Sequence, residues 1–136
     1  MSALALQRAV GARLAAFAPL TALVSPANIT DAHGLPAAFP SVILGEAQEV
    51  PAEVSFERRH LRVYLTLHAW DRSTGTASVK RIADAIRAAL LDADLTLDAG
   101  RLLDLAHGGT RILRDPSGEI AHAVVTVEGL VEEARP

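Results

Sequence analysis

Between Leu61 and Trp70 the chain alternates strictly. Leu61, Val63, Leu65, Leu67 and Ala69 are apolar, while Arg62, Tyr64, Thr66, His68 and Trp70 stand between them. Successive side chains of a strand point to opposite faces, so this period of two predicts a strand with one buried face. A polar loop, Asp71-Arg72-Ser73-Thr74-Gly75, follows, and the period then changes. Val79, Ile82, Ala83, Ile86 and Leu90 recur at three and four residues with Lys80, Arg81, Asp84 and Arg87 opposite, which predicts an amphipathic helix. A half-buried strand and a striped helix so close in sequence bury each other most economically, and the rest of the chain has to cover or extend that pair.

Taken in order, the chain opens with a helix that Ser2 can cap, its stripe formed by Leu6, Val10, Leu14 and Phe17. Pro19 limits it, and Leu20, Leu23 and Val24 suit one further turn. Gly11 inside that helix costs about 1 kcal/mol relative to alanine, so it marks either a close approach or a tolerated defect. Ser25 to Pro40, with three prolines and no sustained period, reads as a loop with at most a short strand near Ile29. Ser41 to Leu44 reads as a short buried strand ended near Gly45. Glu46 to Glu57 is then a polar connection that either leaves the sheet or continues the pairing as an edge. After the second helix, Leu95 to Leu97 is expected to form a brief strand. A strand beginning at Leu102 is interrupted by a bulge at Gly108-Gly109 and resumes from Thr110 to Arg114. Asp115-Pro116-Ser117-Gly118 is a turn, and the returning strand, Glu119 to Val131, puts Ala121, Ala123, Val125, Val127 and Val131 on one side. The expected fold is therefore α+β: an antiparallel or mixed sheet of about four strands with two helices packed on one face, in a single domain spanning residues 1–136.

Bulk properties remove several function classes. A formal net charge of −3 argues against a protein that binds nucleic acid by broad phosphate neutralisation. The absence of cysteine excludes a disulfide framework and thiolate zinc sites. Gln7, Arg8 and Arg13 interrupt the N-terminal apolar residues, so no signal peptide is expected, and no apolar run approaches the ~20 residues that span a bilayer. A soluble protein without a membrane segment is the expectation.

No catalytic signature stands out. His60 and His68 lie on one strand on the order of 26 Å apart and cannot share a metal ion. His107 and His122 can approach across the hairpin, yet no carboxylate partner is evident, so no metal is expected. Gly108-Gly109-Thr110 and Gly75-Thr76 lack the glycine and lysine spacing of a phosphate loop, and no G-x-S-x-G or H-E-x-x-H pattern occurs. Neither enzymatic activity nor a cofactor is expected. Two groups remain as interaction candidates: Arg62, Tyr64, His68 and Trp70 on the polar face of the organising strand, and the mixed-charge cluster Glu53, Glu57, Arg58 and Arg59.

With these elements placed, their order and wording resemble the tail-terminator, or tail-completion, proteins of long-tailed bacteriophages and gene transfer agents. The resemblance rests on Leu6-Gln7-Arg8-Ala9-Val10, Pro19 to Val24, and Phe39-Pro40-Ser41-Val42-Ile43-Leu44-Gly45-Glu46. It continues through Leu65 to Arg72, Lys80 to Ile86 and Arg114-Asp115-Pro116-Ser117-Gly118, and so covers nearly the whole chain. It implies a virion structural protein that forms a homo-oligomeric ring, typically a hexamer, on the finished end of the tail tube. Such a ring stops tube polymerisation, docks a head-side stopper or connector protein, and lets DNA pass through its lumen without specific binding. The place implied is the bacterial cytoplasm during assembly and then the head–tail junction of the particle. A closed ring needs two different patches per subunit. The expected ones are the Ser25 to Pro40 loop with the Glu53 to Arg62 segment, and the hairpin tip at Asp115 and Pro116.

Two other readings stay open at this point. A head-side stopper or a tube subunit is also small, ring-forming and free of catalytic motifs. A small-ligand-binding regulatory domain on a similar layout requires a pocket with polar groups between helix and sheet, against which the uniformly apolar face of the organising strand speaks.

Overall fold

The alternating stretch is the centre of the sheet. In the computed structural model, which describes residues 2–32, 34–52, 59–91 and 93–134, it forms β3 (His60–Arg72), and the apolar set Val63, Leu65, Leu67 and Ala69 is fully buried. Around it the chain runs α1 (Ser2–Ala16), α2 (Ala18–Thr21), a 3-10 turn (Pro26–Asn28), β1 (Ile29–Thr30) and β2 (Ser41–Pro51) before β3. It continues through α3 (Ala77–Leu90), β4 (Arg101–Arg114) and β5 (Ile120–Glu132). The sheet has five strands in the order β1-β2-β3-β5-β4; β1 pairs parallel with β2, and every other pairing is antiparallel.

Both main helices cover one face of this mixed sheet. Leu6, Val10 and Leu14 of α1 join Val79, Ile82 and Ile86 of α3 in a single cluster with the inward residues of β3 and β5. Ala121, Ala123, Val125, Val127 and Val131 are buried there, their small size leaving room for helices to lie close to the sheet. Among the described residues α1 and α3 meet β3 through this apolar cluster, while recesses with polar groups open on the flank between α3 and β4, one of about 380 Å³ bordered by Arg87, Leu90, Leu105 and His107.

Proline chemistry explains the break after Ala16. Phe17 is extended and Pro19, which has no N–H to donate, sits in the first turn of α2, so the helix stops and restarts. Gly11 marks a close approach: a Cβ there would stand 3.0 Å from Leu44 Cδ1 of β2. The obstacle is the end of a side chain, which can shift for one methyl group and not for several. Gly11→Ala is therefore expected to leave stability within about 1 kcal/mol of the parent, helix propensity offsetting the contact. Gly11→Leu should cost about 1–3 kcal/mol by overpacking. Urea denaturation of the three proteins checks both values.

Ser2 does something other than cap its own helix. Its hydroxyl donates to Glu133 at 3.1 Å, and the Ala3 amide donates to Glu49 Oε1 of β2 at 2.7 Å. The orphan donors and positive end of α1 are thus met by a carboxylate from another element. At the far end of the pair, Arg13 Nε donates to the Ala89 carbonyl of α3 at 2.7 Å while its guanidinium lies over the Phe17 ring.

Two expectations are corrected. β2 does not end near Gly45; the second alternative for the following stretch holds, and the strand runs on as an edge to Pro51, with one extra residue between Leu44 and Ala47. That bulge inverts the alternation and hides the strand from a period-two reading. Leu95 to Leu97 forms no strand; Leu97 is buried and Leu95 packs on the core as an irregular cover. The bulge at Gly108-Gly109 is present, and a second one between Leu102 and Asp104 was not anticipated. Among the described residues no helix is long and apolar enough to cross a membrane.

Candidate functional site

The face of the sheet away from the helices carries the polar half of each alternation. Trp70 of β3 is level with Ser41 of β2 and His122 of β5, and His68 with Ile43 and Val124. At this end the segment after β1 folds over the sheet, so Ser41 and Ile43 are buried although they lie on the outer face. Asn28 fastens the segment by donating from Nδ2 to the Pro40 carbonyl at 3.2 Å. Ala32, Gly34 and Leu35 then border a recess of about 310 Å³ with Glu46, His68 and Trp70 on its wall, and Asp115 and His122 beside them.

Inside that recess the hydrogen bonds form a chain. Both Glu46 carboxylate oxygens stand 3.1 Å from His68 Nε2. A carboxylate only accepts, so His68 Nε2–H donates and its Nδ1 is left as an acceptor. The ring of His122 meets that acceptor with Nε2–H at 2.8 Å. His122 also stacks flat on Trp70, ring centroids 3.7 Å apart and planes 6° from parallel. The chain requires a proton on His122 Nε2, which the neutral ring supplies in one of its two tautomers. Burial pushes its pKa down to about 4; the neighbouring His68 acts in the same direction through its charge only when that ring is protonated, and Glu46 opposes both.

The sign of the resulting pH dependence follows directly. Above about 6.5, the ordinary value for histidine, folded and unfolded chains both hold His122 neutral. As pH falls from there toward 4, the unfolded chain takes up a proton that the folded chain refuses, so stability is lost across that window. Because His122 is only partly buried, solvent screening keeps the effect modest. Denaturation at pH 7.5 and pH 5 should show a smaller loss for His122→Gln than for the parent; equal losses would exclude His122 as the source.

The expected interface residues separate into two groups. Arg59 and Arg62 lie at one end of the sheet. Arg59 donates to the Glu133 carbonyl at 3.1 Å, and Arg62 pairs with Glu128 at 3.0 Å. Trp70 and the Asp115–Pro116 tip lie at the opposite end, Trp70 eight residues along β3 from Arg62 and on the order of 26 Å away. Asp115 accepts from the Ser117 amide at 3.0 Å, and hydrogen bonds from Ser117 hold its carboxyl below the usual range. Glu53, Glu57 and Arg58 lie outside the described residues. The structure also regroups the two expected patches: the segment before β2 sits beside the hairpin tip and Trp70, away from the Arg59–Arg62 end.

Histidine pairing differs from the expectation. His107 is level with Val127 and bonds the Thr110 hydroxyl at 2.7 Å, five rows from His122, whose partner is His68. The Glu46–His68–His122–Trp70 group was missed because its members come from three strands. Only the i, i+2 spacing of His68 and Trp70 showed in the sequence. Among the described residues no group of three or more His, Cys, Asp or Glu is placed to hold a metal ion.

Comparison with known proteins gives a consistent picture. The sequence model for "Tail completion protein gp17" matches residues 8–132. A chain in the solved virion of a native gene transfer agent particle superposes with a TM-score of 0.80 at 29% identity, covering 94% of this chain and 95% of that one. The gp17 protein of bacteriophage SPP1 shares the fold, with a TM-score of 0.61 at 21% identity over 99% of this chain and 94% of its own. None of the curated proteins matches.

Proposed function

The chain belongs to the tail completion protein gp17 family, and from that premise we propose that it closes the end of a phage-type tail tube as a homo-oligomeric ring, with six subunits the expected number. The ring stops tube polymerisation, presents the surface to which a head-side connector docks, and leaves a lumen for DNA. The observation that carries this reading is the family match across residues 8–132. The likeness in fold, over nearly its whole length, to a chain of a gene transfer agent virion supports it. Both findings speak for a structural protein of a phage or gene-transfer-agent particle.

The geometry suits such a part. The two groups of candidate residues stand at opposite ends of the strands, Arg59 and Arg62 at one, Trp70, Asp115 and Pro116 at the other. A subunit standing with its strands along the ring axis would offer one end to the tube and the other to the head side. A net charge of −3 suits a lumen that must let DNA slide, since each neutralised phosphate would add to retention.

The test is electron microscopy of particles assembled without this protein. Overlong or headless tubes are the expected result. Tubes of normal length on particles that fail to retain DNA would transfer the role to a head-side stopper, and particles indistinguishable from the parent would overturn the reading.

A further inference from the structure

If the subunits form a ring, as proposed above, something must join each to the next, and the sheet offers two unfinished edges. β4 is an edge strand of 14 residues, and no strand among the described residues pairs with its outer side. At the other edge β1 is only two residues long and covers Val42 and Ile43, and no strand among the described residues pairs with the outer side of β2 from Ala47 to Pro51. A long open edge exposes main-chain donors and acceptors that readily take another strand.

The two edges match row by row. Following the pairings across the sheet, Val50, Glu49, Gln48 and Ala47 of β2 are level with Asp104, Leu105, Ala106 and His107 of β4. Both stretches are regular over those four rows. Beyond them each edge has one extra residue at the same level, between Leu44 and Ala47 on β2 and between His107 and Gly109 on β4, on either side of the Thr66–Thr126 row. Bulges bend a strand and raise its twist, so the two edges bend at the same height.

Direction and chemistry agree with that match. Three antiparallel steps separate β2 from β4, so the two strands run in opposite directions. Copies related by rotation about one axis keep their direction along it, and β4 of one copy would therefore meet β2 of the next antiparallel. Arg101, Arg111 and Arg114 on β4 are exposed with only Asp104 as an exposed carboxylate on that strand, whereas β2 exposes Glu46 and Glu49 and contains no cation. None of these arginines lies in the four matched rows, so the charges act along the seam as a whole: a second β4 would bring more cations to it, whereas β2 brings only carboxylates, which favours the heterologous contact. Leu103 and Leu91, 40% and 57% exposed, border a recess beside the β4 edge, and Val50 on β2 is exposed to a similar degree.

We propose that the occupant of the β4 edge is a second copy of this chain, whose β2 segment from Ala47 to Pro51 pairs antiparallel with the Asp104–His107 stretch, so that the sheet continues from subunit to subunit around the ring.

Cysteine pairs test this without competition, because the chain contains no cysteine. Gln48, Val50, Asp104 and Ala106 lie on one face of the sheet. Within one copy the two edges are three strand spacings apart, roughly 14 Å, too far for a disulfide. Particles carrying Val50→Cys or Gln48→Cys combined with Asp104→Cys or Ala106→Cys are oxidised and resolved on non-reducing gels. At least one of the four pairs is expected to give a ladder of covalent multimers of this chain that collapses on reduction, with single variants giving dimers at most. Particles holding the usual number of copies but no ladder from any pair would overturn this contact and leave the ring standing, as would crosslinks to a different particle protein. Particles holding one copy of the parent chain would overturn the ring itself and this contact with it.

Discussion

Leu65→Asp is expected to leave no folded protein. Leu65 is fully buried on the helix side of β3, within the cluster that joins sheet and helices, and the described residues place no cation in that cluster. A carboxylate there loses its hydration with no partner, on top of the lost packing, at a cost on the order of 5 kcal/mol or more. That is comparable to the whole stability of about 5–15 kcal/mol typical of a small domain. Ile86→Asp, on the helix side of the same contact, should behave alike. Thr66→Asp is the control: one residue along β3, it faces the opposite side, half-buried and level with Thr126, and should cost about 1–2 kcal/mol. Circular dichroism and solubility of the three variants check the set. A folded Leu65→Asp protein would mean that β3 is not the centre of the core.

Trp70→Ala is expected to spare the fold and cripple assembly. The indole stacks on His122 and borders the recess under the segment before β2, so its loss removes a half-buried aromatic. The stability cost should be about 2 kcal/mol, roughly half that of a fully buried ring, and a cooperative transition should survive. Incorporation into particles should fall by at least about tenfold, because rigid aromatic anchors concentrate binding energy where partners meet. Trp70→Phe retains a flat ring against His122 and should recover most of the incorporation. Melting curves and the amount of each variant in purified particles give the two readouts. An unfolded Trp70→Ala protein, or normal incorporation of its folded fraction, would remove Trp70 from the docking end. The Nε1 atom of Trp70 is buried with no hydrogen-bond partner among the described residues.

Much of the fold could be read from spacing. The period-two run gave β3 and its buried face, the three-and-four spacing gave α3, and the residues named for the inward side of β5 are the ones the core contains. The Asp115-Pro116-Ser117-Gly118 turn announced the β4–β5 hairpin, and Asp115 N–H donates to the Ile120 carbonyl across it at 2.9 Å. Less of the site was visible. One extra residue shifts the phase of the β2 alternation, so spacing alone left open whether the chain beyond Gly45 quits the sheet or continues as an edge, and the structure decides for the edge down to Pro51. Glu46, His68 and His122 looked like unrelated polar residues.

The sequence by itself determined which residues face inward, because alternation and helical spacing are local consequences of backbone geometry and one face must leave water. It also determined the family, through ordered segments spread over most of the chain. Only the tertiary structure decided which strands are neighbours. β3 pairs with β5 across an intervening helix and strand, and that long-range step sets His122 against His68 and Trp70. The same step leaves β4 and the lower half of β2 as open edges whose bulges stand at one height. Strand order and register depend on how the whole apolar face packs beneath the helices, and no local stretch of residues contains that information.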